Sequence, residues 1–175
     1  MASLVLLAGV ATAHPHKDVE QQALVSVGLD VVSLEVRIVP SFEEGAAIFA
    51  HIDSDANGVV SADEAAKFGA EVIEKTVLKV DGWRIAFSSP RVAVPTSEWV
   101  AAGLGVIEVD ADAAFDFTST PDHSVAFEIA YENLAHTWFV QPFFYADLMA
   151  TMSLQSLERA VAGSRVEILF SPKGR

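Results

Sequence analysis

Val32, Leu34, Val36 and Ile38 alternate with Ser33, Glu35 and Arg37, and the pattern stops at Pro40. A period of two is what a strand needs when one face is buried and the other is wet, and proline, lacking an N–H, ends it. The same rhythm recurs between turn signals over most of the chain. Residues 23–27 precede this strand across Gly28-Leu29-Asp30, which predicts a hairpin. Residues 78–80 and 83–87 flank Asp81-Gly82, the dipeptide suited to a type I′ turn. Further strands are expected over 104–109, 125–131, 137–144 and 165–170. Leu154, Leu157 and Val161 have helical spacing before Gly163, so 153–162 reads as a short helix, with two edge strands as the alternative. Seven or so strands at short spacing, without a βαβ rhythm, predict a mainly β (α+β) chain built as an antiparallel β-sandwich.

One stretch breaks the rhythm. Residues 53–64 read Asp-Ser-Asp-Ala-Asn-Gly-Val-Val-Ser-Ala-Asp-Glu. Side-chain oxygens at Asp53, Asp55 and Asn57 alternate inward before Gly58 turns the chain, and the Val59 carbonyl follows from the backbone. Ser61 supplies the ninth position directly or through water, and Glu64 closes the loop with two oxygens. An all-oxygen set of this kind fits Ca2+. The flanks carry helix signals. Ser41 and Glu44 have capping-box spacing before Ile48, Phe49 and Ile52, predicting a helix over 42–52. Ser61 and Glu64 repeat that spacing before Ala65, Phe68, Val72 and Ile73, predicting a second helix over 62–75.

Over about residues 41–76 the chain therefore resembles the EF-hand family, with apolar Val60 at the loop's eighth position. Gly69 departs from the bulky apolar residue that the family prefers and is expected to weaken the second helix by about 1 kcal/mol against alanine. The competing reading is a solvated Asp/Asn turn between two helices. A partner loop is missing: Asp110 and Asp112 begin a similar run, but no glycine follows at the turn position, and the two read as the wet face of a strand.

The 175 residues, 51% hydrophobic and 20% charged, suit one domain with its own core, and with no cysteine that core forms without disulfides. The net charge of −13 repels phosphate backbones and anionic lipid, which argues against nucleic acid as a partner. Residues 1–13 are uncharged and end in Ala11-Thr12-Ala13, the small-x-small pattern of a cleaved signal peptide, although a basic n-region is missing, as if truncated. No run reaches the about 18 apolar residues of a membrane span. The expectation is a secreted or periplasmic chain whose residues 14–175 form a single β-sandwich domain with the hand inserted.

This layout resembles uncharacterised exported bacterial proteins in which an EF-hand sits in an immunoglobulin-like β-domain. Similar modules precede the membrane part of some nickel/cobalt or hydrogenase-accessory permeases. The resemblance implies an immunoglobulin-like sandwich and carries over no catalytic residue. Cleavage after Ala13 would expose His14-Pro15-His16, and an N-terminal histidine can hold copper through its amine and imidazole. Such a brace, similar to copper carriers and copper oxygenases, needs one more imidazole from His16, His51, His123 or His136. Otherwise His51 reads as a surface or boundary residue and His136 as core. The aromatic run Trp138, Phe139, Phe143, Phe144 and Tyr145 reads as core, with a sugar- or peptide-binding face as the alternative. Nucleophile motifs and phosphate-binding glycine loops are absent, so a structural or binding module is expected, not an enzyme.

Overall fold

The computed structural model describes residues 18–117 and 122–174. The signal peptide expected over 1–13 and the histidines His14 and His16 lie outside the described residues. In chain order the elements are β1 (Glu20–Val27), β2 (Val31–Val39), α1 (Gly45–Ile52), α2 (Ala62–Glu74), β3 (Thr76–Val80), β4 (Trp83–Ile85) and β5 (Arg91–Ala93). There follow α3 (Ser97–Ala101), β6 (Ile107–Ala114), β7 (His123–Ile129), β8 (Phe139–Phe144), α4 (Ala146–Thr151), β9 (Met152–Arg159) and β10 (Arg165–Pro172). The chain is mainly β, with two five-stranded sheets ordered β5-β6-β2-β1-β8 and β4-β3-β7-β10-β9.

Alternation decides which side chains meet. Val32, Leu34, Val36 and Ile38 are all buried on β2, facing the core together with Ala23, Val25 and Val27 of β1 and Ile107, Val109 and Ala113 of β6. The second sheet contributes Leu78, Phe127, Ile129, Val166, Ile168 and Phe170 to the same cluster. Phe144 and Phe170 meet edge to face across the layers, with ring centroids 5.4 Å apart. The hairpin around Asp81-Gly82 forms as read, with φ of 50° and 83° at the two turn residues, the pair of positive values that a type I′ turn requires.

Four expectations change. The 153–162 segment is no helix: β9 pairs antiparallel with β10 from Met152 to Arg159. Of the three residues that gave it helical spacing, Leu154 and Val161 are exposed and only Leu157 packs against the core, whereas an edge position gives the backbone a ladder partner. The helix in this region is α4, which ends one residue before β9 starts. The strand expected over 104–109 begins at Ile107 and runs to Ala114, because the amides of Leu104 and Gly105 both turn back to the Trp99 carbonyl (3.0 and 3.1 Å) and close the end of α3. The first helix flanking the loop starts at Gly45, three residues later than its spacing predicted, after a turn over 42–44. Finally the sheets are not wholly antiparallel, since β1 pairs parallel with β8, with Gln22 opposite Phe139 and Ser26 opposite Phe143.

The helix-loop-helix lies between β2 and β3 and shares their core. Ile48, Phe49, Ile52, Phe68 and Val72 belong to the same buried cluster as the sheets. The Phe68 ring stands edge to face on Tyr131, centroids 6.1 Å apart. A Cβ on Gly45 would lie 2.0 Å from the Val100 carbonyl oxygen, so only glycine lets α1 sit this closely on α3. Gly69 has the same purpose on α2. A Cβ there would come within 2.5 Å of Val92 Cγ2 and 2.8 Å of Pro90 Cγ, so this glycine sits where Pro90 and β5 approach α2.

Candidate metal centre

The loop begins where α1 ends. Asp53 closes that helix by donating its amide to the Phe49 carbonyl at 2.8 Å, which points its carboxylate into the loop. Asp53 is buried. Its Oδ1 accepts from the Asn57 amide (3.2 Å) and its Oδ2 from the Gly58 amide (2.8 Å). Gly58 has φ +85°, and no atom lies within 4 Å of where its Cβ would be. Backbone conformation, not space, therefore requires glycine there. Ala56 also sits in the left-handed region, at φ 56°.

Glu64 is the centre of the loop's bonding. Its Oε1 accepts from the Ser54 amide (2.7 Å), the Ser54 hydroxyl (3.1 Å) and the Asp55 amide (3.1 Å). Its Oε2 accepts from the Ser61 amide (2.9 Å) and the Ser61 hydroxyl (2.8 Å). The predicted capping box at the start of α2 is thus complete in both directions. These donors hold the Glu64 carboxyl far below the usual carboxylate range, down to about 2. The Ser61 amide contributes most, then the Ser61 hydroxyl and the Asp55 amide, and together they outweigh an opposing effect of burial. Glu64 is therefore ionised at any physiological pH.

One carboxylate oxygen each from Asp53, Asp55 and Glu64 lies within 4.8 Å of the other two, and among the described residues this is the one such group of three or more His, Asp or Glu side chains. Hydrogen bonds tie the uncharged candidates to it. Asn57 Nδ2 donates to Asp55 Oδ2 (2.9 Å), Asn57 Oδ1 accepts from the Val59 amide (2.8 Å), and Ser61 Oγ reaches Glu64. Val59 itself is exposed, as suits a residue offering only its carbonyl. All six candidate ligands are thus joined by bonds to side chains within one loop, and the donor set is oxygen throughout. That chemistry fits a hard divalent cation such as calcium. Ser54 was missed in the sequence, although it holds Glu64 with both its amide and its hydroxyl. Its only signal was a small hydroxylated residue beside the first ligand.

The remaining candidates are dispersed. His51 Nε2 faces Glu71 Oε1 at 3.5 Å on the surface of the helix-loop-helix, where it was expected. His123 is buried, with Nδ1 2.8 Å from Asp81 Oδ2 and its ring stacked on Phe117. His136 is a correction: it is exposed beside Glu132, not core. Of the aromatic run, Trp138 is buried and donates its Nε1–H to the Tyr131 carbonyl (2.7 Å), but Phe139, Phe143 and Tyr145 are exposed. Strand alternation puts Phe139 and Phe143 on the outer face of β8, so helix-free spacing alone could not make them core. Asp110 and Asp112 lie on the partly exposed face of β6, as read, with Asp112 Oδ1 accepting from the Ser33 hydroxyl at 2.8 Å. Among the described residues no helix is long and apolar enough to cross a membrane. Comparison with known proteins finds no significant match to a family model, a curated protein or a solved structure.

Proposed function

We propose that residues 53–64 bind one calcium ion and that the protein is a structural or binding module, not a catalyst. The carrying observation is the convergence of Asp53, Asp55 and Glu64 within 4.8 Å, on a loop held between two helices and turned by Gly58. Three carboxylates at that separation repel each other, and a divalent cation relieves the repulsion. Asp53, Asp55, Asn57 and Ser61 would contribute side-chain oxygens, Val59 its carbonyl, and Glu64 both carboxylate oxygens in exchange for part of its present amide bonding. The chain around the loop is the cover that a second hand would otherwise provide, through Tyr131 against Phe68 and Val100 against α1. An unpaired hand belongs in the weak range of about 10⁻⁴–10⁻³ M.

The strand orders support an immunoglobulin-like body. Taking β1, β2, β5 and β6 as A, B, D and E, the first sheet contains A-B-E-D in neighbouring order. Taking β3, β4, β7 and β10 as C, C′, F and G, the second contains C′-C-F-G, leaving β8 and β9 as additions between F and G. Export to the periplasm or outside the cell rests on the residue 1–13 pattern and suits a site of millimolar affinity. Equilibrium dialysis with radioactive calcium tests the reading. Glu64→Gln should abolish most binding, while Asp63→Asn, one residue away but outside the ligand set, should leave it. Equal losses would mean that general acidity holds the ion.

A further inference from the structure

The outer side of α1 is apolar except at His51, which pairs with Glu71. Apart from His51 every residue of this helix is apolar, and while Ile48, Phe49 and Ile52 face the core, Ala46, Ala47 and Ala50 are exposed. A helix with so little polar surface is ordinarily covered on more than its core side. Around it stand three bulky apolar side chains open to water: Phe42 at 64% exposure, Trp99 at 57% and Leu104 at 55%. They come from two segments whose backbones touch, since a Cβ on Gly103 would lie 2.8 Å from the Phe42 nitrogen and the Leu104 amide bonds the Trp99 carbonyl. The charges interspersed here have one sign. Glu43, Glu44 and Glu98 are exposed, and neither 41–50 nor 94–106 contains a lysine or arginine.

We propose that this face, built from Phe42, the outer side of α1, Trp99 and Leu104, docks a basic amphipathic segment of another protein, one that presents apolar anchors flanked by Lys or Arg. Contiguous exposed apolar surface rimmed by polar residues marks an interaction site. The acidic rim then selects among occupants: it repels an anionic lipid surface, and it repels a second copy of a chain that carries −13. A cationic partner gains from the same rim and covers the apolar residues.

The test uses the full chain and a synthetic helix-forming peptide of Leu and Lys, with its Leu/Glu counterpart as control, read by fluorescence anisotropy. The Lys peptide should bind and the Glu peptide should not. Trp99→Ser combined with Leu104→Ser, both at exposed positions, should weaken binding by about tenfold or more, as loss of interface anchors does. Trp83→Ser, at a residue 77% exposed at the start of the edge strand β4 of the second sheet, should change it by less than about twofold. Converting Glu43, Glu44 and Glu98 to Gln should flatten the salt dependence without touching an apolar contact. Undiminished binding by the Trp99/Leu104 variant, or an equal loss from Trp83→Ser, overturns the proposal. Self-association, or binding to phosphatidylserine vesicles, that disappears in the Trp99/Leu104 variant would also overturn it, assigning the face to a second copy or to a membrane.

Discussion

Ser61 and Glu64 hold each other in both directions: the Ser61 amide and hydroxyl donate to Glu64 Oε2 at 2.9 and 2.8 Å, and the Glu64 amide donates to Ser61 Oγ at 3.3 Å. One serine thus caps α2 and orients the carboxylate proposed to close the cation site. Ser61→Ala removes the hydroxyl and leaves the amide. It should cost about 1 kcal/mol, the usual loss of an N-cap side chain. Urea unfolding in chelator reads that loss, and a calcium titration of the same variant should show weakened affinity. Unchanged stability would mean that the amide alone orients Glu64.

Gly69→Ala separates helix propensity from packing. Propensity alone favours alanine by about 1 kcal/mol. The new methyl, however, would sit 2.5 Å from Val92 Cγ2 and 2.8 Å from Pro90 Cγ, and overpacking costs typically about 1–3 kcal/mol. A net loss in urea unfolding is expected, with calcium affinity kept because the loop is untouched. A stabilised variant would show that β5 yields freely.

How much was legible in the sequence follows from how local each signal is. The β2 alternation, the Asp81-Gly82 turn and the Ser61/Glu64 box depend on neighbours in the chain and were readable. β9 was read only as the alternative to a helix, because what makes residues 152–159 a strand is the backbone of β10, and its own spacing favours neither. The parallel β1–β8 pair joins segments more than a hundred residues apart and leaves no local mark. Gly69 shows the same limit from the other side: only the approach of Pro90 and Val92 explains it. In the loop the ligand spacing was plain, but the second bond from Ser54 to Glu64 depends on how the loop folds back on itself.

Ala56 stores strain at φ 56°. A non-glycine residue in the left-handed region costs roughly 1–2 kcal/mol. Ala56→Gly relieves this and loses about 0.4–1 kcal/mol through the freer unfolded chain. The variant should be more stable by a few tenths to about 1 kcal/mol in urea unfolding. Destabilisation would mean that the loop relaxes out of this conformation in solution.

Glu64 also makes stability depend on acid. Its folded pKa, about 2, lies below its ordinary value of 4.5, so between these two pH values the unfolded chain binds more protons than the folded one. The stabilisation is complete above about pH 4.5 and is lost as pH falls through about 2. In chelator, Glu64→Gln should therefore flatten the decline of melting temperature over that window and leave neutral pH unaffected in slope. The same decline in variant and parent would place the acid sensitivity on other carboxylates.

Thermal melting of the full chain in 10 mM calcium against chelator is the most direct measurement. A ligand that binds only the folded state at 10–100 times its dissociation constant stabilises by about 1.4–2.7 kcal/mol. For a chain of this size that raises the melting temperature by roughly 3–10 °C. The account predicts that rise in the parent and in Asp63→Asn, and its loss in Glu64→Gln. A melting temperature indifferent to calcium, or a rise that survives Glu64→Gln, would contradict a cation held by residues 53–64.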